Sequence, residues 1–160
     1  MVLCWLVHLI GDVHQPLHTV TLVTPQFPAP QGDRGGTRFF IRVRPDRSTI
    51  SLHEFWDDLV LGSTRFQTVR NTATELRLRP AHARNQLTEL AQTQFEQWEQ
   101  ESFALAKEHA YRNGTLQGSA DENNGAVLPS DYAQTMKPLG ERRVTLAGYR
   151  LADVLRQLFE

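Results

Sequence analysis

The chain has 160 residues, 40% hydrophobic and 22% charged, with 17 Lys+Arg against 18 Asp+Glu and a formal net charge of −1. This length and mix belong to one ordinary globular domain and exclude disordered, collagen-like and coiled-coil chains. The charge balance excludes the basic footprint of a tight, sequence-independent duplex binder, but not an enzyme whose metal ions supply the positive charge.

Met1–Ile10 is almost wholly apolar. It lacks the basic n-region and small-residue cleavage site of a signal peptide, and it falls far short of the ~20 residues needed to span a bilayer. Val2 to about His14 is predicted as a buried core helix ended by Pro16, with its upstream context missing. Cys4, the one cysteine, cannot form an internal disulfide and reads as a small buried hydrophobe rather than a reactive thiol. It leaves the compartment open.

Thr24–Gly36, with Pro25, Pro28, Pro30, Gly32, Gly35 and Gly36, is predicted as a loop. Thr37–Arg44 reads as a short strand, paired in a hairpin with Thr49–Leu52 across Pro45-Asp46. Helical spacing resumes over Leu52–Leu61. A long amphipathic helix is expected from Gln86 to Tyr111, on the recurrence of Leu87, Leu90, Phe95, Trp98, Ser102, Leu105 and His109. Asn113–Pro129 reads as a loop. Ser130-Asp131 is expected to cap a short helix that Pro138 interrupts, and Glu141–Phe159 to form a final helix with Gly148 at a close helix approach. The class is mainly α with one short β-hairpin, and no internal repeat is visible.

The chemistry is concentrated in the first third. His8 and Asp12 are four residues apart and share a helix face, His18 follows the break at Pro16, and His53 and Asp57 repeat the i, i+4 spacing. A lone pair of this kind is common in any helical protein. Asp12, however, is predicted to lie in an otherwise apolar helix, where an unpaired carboxylate costs several kcal/mol. A cation is the simplest compensation, and imidazole and carboxylate are donors that zinc accepts. His8, Asp12, His18, His53 and Asp57 are therefore the candidate metal ligands.

The segments HLIGDVHQPLH (8–18), GDRGGT (32–37) and LHEFWD (52–57), with WEQESFALAKEHAY (98–111) and AGYRLADVL (147–155) further on, resemble the zinc-dependent single-strand nucleases of the nuclease S-one and P-one type. The resemblance implies a helical phospholipase C/nuclease-type fold holding three zinc ions, which hydrolyses single-stranded DNA, RNA and 3′-phosphomonoesters. It implies that His8 ligates one ion of a close pair, that Asp12 bridges the pair, and that His18, His53 and Asp57 hold the third ion. It also implies a single-stranded nucleic acid or nucleotide substrate and a secreted or periplasmic parent.

Two departures stand out. The family motif usually has Asn where this chain has Thr37, and the family's N-terminal ligands and base-stacking aromatic have no counterpart in the seven residues before His8. The expectation is an N-terminally truncated copy: residues 1–160 form the C-terminal portion of one nuclease domain, whose N-terminal half is the missing partner. A zinc phospholipase C-like phosphodiesterase and a non-catalytic zinc-binding remnant are the alternatives. His14 is expected to pack rather than ligate, and Trp56, Trp98 and Phe103 to be core. Asp33 and Asp58 are expected to be solvated or loop-capping, and His82 and His109 structural or superficial.

Overall fold

A computed structural model describes residues 2–160. Met1 lies outside the described residues, so the apolar opening is seen only from Val2. Among the described residues, five α-helices, α1 (Val2–His14), α2 (Leu52–Asp57), α3 (Phe66–Leu78), α4 (Phe95–Leu105) and α5 (Tyr132–Phe159), surround three very short strands, β1 (Phe40–Arg42), β2 (Ile50–Ser51) and β3 (Ala126–Val127). The class is mainly α, as expected. Among the described residues no helix is long and apolar enough to cross a membrane.

The hairpin forms within the two predicted segments, with Phe40 opposite Ser51 and Ile41 opposite Ile50. The sheet also has a third strand: β3 pairs in parallel with β1 (Ile41 with Ala126, Arg42 with Val127), giving the order β2-β1-β3. This strand lies inside the segment expected to be loop. Two residues are too few to read as a strand, and the pairing partner is more than eighty residues away.

The core sits behind the sheet and the glycine-rich loop. Leu17, Phe39, Ile41, Leu52, Phe55, Trp56, Tyr111, Tyr132 and Met136 are all buried in one cluster. Two of its members root the elements that bear candidate ligands. Leu17 lies in the 3₁₀ turn Pro16–Thr19, next to His18, and Trp56 adjoins Asp57 on α2. Trp56 Nε1 donates to the Tyr132 hydroxyl at 3.1 Å, and that hydroxyl donates to the Ala110 carbonyl at 2.7 Å, so α2 is pinned to the start of α5.

Several expectations are corrected. α1 is not a buried helix: Val2, Leu3, Trp5, Val7 and Leu9 are exposed and Ile10 is the first buried apolar residue. Cys4 is likewise exposed. An apolar stretch reports a preference for burial, and the partner that would satisfy it is a separate matter. The predicted helix from Gln86 starts only at Phe95. Before it, 3₁₀ turns at Arg84–Gln86 and Thr88–Ala91 take Leu87 into the core, and after it a π turn spans Ala106–Ala110. Gln94 and Gln97 form a reciprocal capping box that sets the actual start.

Phe103 is half-exposed, whereas Trp98 and Trp56 are core as expected. The helix over Leu52–Leu61 stops at Asp57. Pro138 does not interrupt a helix but lies inside α5, which is held on both sides of it by Met136 in the core and by buried Arg143. Gly148 meets no neighbour within 4 Å of where a Cβ would stand, so no close helix approach explains it; it lines an apolar groove between α3 and α5.

Among the described residues, the hydrogen bonds that α4 and α5 make to α1 fall at its C-terminal end. Arg143 and Arg150 of α5 both donate to the Glu101 carboxylate at 2.7–2.8 Å. Arg143 also donates to the His14 carbonyl and to Ser102 Oγ, whose own hydroxyl donates to the Val13 carbonyl. His14 is buried, as its packing role predicted. Its Nδ1 lies 2.7 Å from the Ile10 carbonyl and its Nε2 2.9 Å from Arg150 Nη1, which fits a neutral ring donating from Nδ1 and accepting at Nε2. Burial, then the Arg143 charge, lowers its pKa from 6.5 to about 4. Burial works against the Glu101 carboxylate, but the hydrogen bonds from Arg150 and Arg143 outweigh it and hold its pKa below the usual range.

Candidate metal centre

Three elements meet at the centre. Pro16 ends α1, and the 3₁₀ turn Pro16–Thr19 delivers His18. Ser51 caps α2, its Oγ accepting the Glu54 N–H at 3.0 Å, and the short helix places His53 and Asp57 one turn apart on the same face. The glycine-rich loop closes the third side. Gly35 and Gly36 have φ of +61° and +83°, and a Cβ on Gly35 would stand 2.3 Å from the Leu17 carbonyl oxygen. No other residue type fits there. The loop can therefore pass close enough for the Gly35 carbonyl to meet His53 Nδ1 at 2.8 Å.

His18, His53 and Asp57 each offer a donor atom, and the three atoms lie within 4.8 Å of one another. His53 Nε2 is 3.6 Å from Asp57 Oδ2, and His18 Nε2 is 3.9 Å from Asp57 Oδ1. The rings of His18 and His53 are 4.8 Å apart. His53 is half-buried, whereas His18 and Asp57 face solvent. A carbonyl holding Nδ1 while Nε2 points to the open side is the usual backing of a metal-binding imidazole. By donor type, convergence and this backing, the residues fit a zinc ion.

The other two candidates adjoin them. Asp12 Oδ2 is 3.1 Å from His8 Nε2 and 3.6 Å from His18 Nδ1. All five sequence-predicted residues thus form an unbroken string, His8–Asp12–His18–Asp57–His53, but only the last three converge on one point. Asp12 is partly exposed rather than buried among apolar side chains. Contrary to expectation, Asp12 is therefore not a buried carboxylate that needs a cation to offset desolvation, although it does stand beside the centre.

A groove of about 420 Å³ runs from the string along Asp12, His18, Leu9 and Val13 to Phe95, Glu96 and Glu99 at the start of α4. Its lining contains carboxylates and no Lys or Arg. A larger apolar groove of about 470 Å³, between α3 and α5, brings no such histidines and carboxylates together, and size alone does not make it the site.

Two residues outside the predicted ligand set support the centre, Asp33 and Gln15. Asp33 of the GD-x-GG loop is fully buried: it accepts from the Leu22 N–H at 2.8 Å and from the Tyr111 hydroxyl at 2.6 Å, and so anchors the loop that backs His53. The loop-capping option was the right one, and the solvated option is excluded. Burial, and then this bond to Asp33, pushes the Tyr111 hydroxyl pKa up, so it stays a donor. Gln15, inside the first motif, donates to Asp57 at 3.0 Å. Asp58 is exposed just past the end of α2, and Thr37 is exposed with its hydroxyl on the Arg34 carbonyl. His82 is buried against the Leu76 carbonyl and His109 is partly exposed beside Glu108, both apart from the centre.

Comparison with known proteins places the chain among nucleases. Endonuclease 4 of Arabidopsis thaliana is 32% identical over 171 residues, an alignment covering 98% of this chain and 50% of that protein. Endonuclease 5 and Endonuclease 3 of the same plant are 30% and 29% identical, again over 98% of this chain and 50% and 51% of theirs. The chain spans about half the length of the curated relatives it matches. The S1/P1 Nuclease family model matches residues 1–160, and the chain belongs to that family.

Proposed function

We propose that this chain is the C-terminal portion of a single nuclease domain that hydrolyses the phosphodiester bonds of single-stranded DNA and RNA, and 3′-nucleotides, with zinc. The observation that carries the reading is the convergence of His18, His53 and Asp57, with His18 also lining a groove, in a chain of this family. These three residues would hold one zinc and leave a position free, as catalytic sites do. His8 and Asp12 would contribute to a close pair of ions, three in all, whose remaining donors lie in the rest of the domain. Zinc bound there supplies Lewis acidity and positive charge for phosphate chemistry.

The chain's own residues do the holding and orienting. The Gly35 carbonyl fixes the His53 ring, and Asp12 stands between His8 and His18. Glu96 and Glu99 make the groove hostile to phosphate on its own, so anionic substrate binding there requires the ions. The exposed apolar face of α1 is where the rest of the domain would pack. A secreted or periplasmic location belongs to the same proposal, from the family resemblance alone.

The test has two arms. His53→Ala is expected to lose one equivalent of zinc by metal analysis after mild dialysis; unchanged zinc content would overturn the site. Cleavage of single-stranded DNA and of a 3′-nucleotide, with added zinc, is then compared between these 160 residues and a form extended upstream to the length of the relatives. Little activity from the short form and full activity from the long one is expected. Full activity from the short form would overturn the divided domain, and release of choline phosphate but not nucleotides would favour a phospholipase C.

A further inference from the structure

We infer that Gln15 is a positioning residue of the metal centre, its carboxamide joining the turn that carries His18 to the carboxylate of Asp57. The inference rests on the metal reading above. Gln15 follows the last residue of α1 with extended backbone (φ −82°, ψ 116°), and Pro16 fixes the start of the next turn. Its Oε1 accepts the Leu17 N–H at 2.5 Å and so caps the turn Pro16–Thr19. Its Nε2 donates at 3.0 Å to Oδ1 of Asp57, a residue 42 positions further along the chain.

Among the described residues no other side chain donates a hydrogen bond to the Asp57 carboxylate. Asp57 ends a helix of only six residues and faces solvent, so without that bond its carboxylate plane is free to turn. With Oδ1 held by Gln15, Oδ2 is presented towards His53 Nε2, 3.6 Å away. The Gly35 carbonyl backs His53 on one side of the centre, and Gln15 backs Asp57 on the other while capping the turn of His18. All three donors are then oriented before an ion arrives, which lowers the ordering that binding must supply.

The role requires an amide of this length. Asn keeps a side-chain oxygen able to cap the i+2 N–H but is one methylene too short to reach Asp57. Met preserves the bulk and loses both bonds. Losing a residue that orients a metal ligand typically weakens metal affinity about 10- to 100-fold.

The experiment is cobalt(II) binding to the purified protein, read by chelator competition and by the visible d–d spectrum, together with the melting temperature of the metal-free form. Gln15→Asn is expected to melt like wild type while binding cobalt about tenfold or more weakly and with an altered spectrum. Gln15→Met is expected to lose affinity and melting temperature together. Gln15→Ser, a second short cap, is read as Gln15→Asn is, so that a folding defect in one variant does not decide the matter. Wild-type affinity and spectrum in the short-cap variants would overturn the positioning role and leave Gln15 as a cap alone. Absence from wild type of a cobalt site that His53→Ala removes would overturn the metal reading itself, and this inference with it.

Discussion

The two ends of the candidate site are built differently. At one end, His53 and Asp57 sit on α2, which Leu52, Phe55 and Trp56 root in the core, and a loop anchored by buried Asp33 closes over them. At the other end, His8 projects from a stretch of α1 whose apolar residues are mostly exposed, and the hydrogen bonds from α5 and α4 reach that helix at Val13 and His14, near buried Ile10. A metal-ligand set is preorganised where its supporting elements bury their own apolar faces within the chain. Where they do not, side chains of a metal-binding type are present but do not converge.

The comparison can be broken most directly through activity. In the form extended to the length of the relatives, Asp12→Asn is expected to lower the rate on single-stranded DNA by on the order of 100-fold, while Asp58→Asn leaves it within about twofold. Asp12 lies between His8 and His18, and Asp58 only adjoins the candidate ligand Asp57. Equal rates for the two variants would contradict the assignment.

The grip on α1 comes next. Glu101→Gln leaves Arg143 and Arg150 buried without their shared carboxylate, and a broken buried pair of this kind costs about 3–5 kcal/mol. Urea denaturation measures it, and a loss under about 1 kcal/mol would show that the clamp is superficial. Leu52→Ala, at the root of α2, is expected to cost about 3 kcal/mol in the same assay by opening a cavity.

Acid probes the clamp without a substitution. The unfolded chain binds the His14 proton near the ordinary value of 6.5, the folded chain only near 4, so stability falls as pH drops through that window. The loss amounts to about 3 kcal/mol by its lower end. Above about pH 7 His14 adds no pH dependence. Glu101, whose carboxyl pKa is held down by Arg150 and Arg143 against the effect of burial, adds its own acid loss at still lower pH. A stability profile flat between pH 6.5 and 4 would contradict the neutral, buried His14. The smallest effect is expected at the free end of α1: Trp5→Gln should change the stability of these 160 residues by no more than about 0.5 kcal/mol, because Trp5 is exposed.

Much of the site was legible in the residues alone. Four-residue spacing put His8 with Asp12 and His53 with Asp57 on shared helix faces, and the proline after Gln15 announced the turn that carries His18. Those are local rules of backbone geometry, and the structure obeys them. Other readings failed for one reason. The helix expected from Gln86 gives way to 3₁₀ turns where Arg142 holds the Glu89 carboxylate and Arg150 takes the Glu89 carbonyl. Residues more than fifty positions away made that choice.

The sequence by itself determined the helical class, the hairpin around β1 and the donor types of the centre, because periodicity, turn chemistry and ligand chemistry act over a few neighbouring residues. Only the tertiary structure decided that β3 completes the sheet, that Asp33 is a buried anchor rather than a solvated loop residue, that Gln15 reaches Asp57, and that α1 leaves its apolar face uncovered. Each of these depends on which distant segment arrives opposite. Hydrophobic burial is non-directional, so an apolar run such as Val2–Ile10 records that a partner is favourable without saying which segment supplies it.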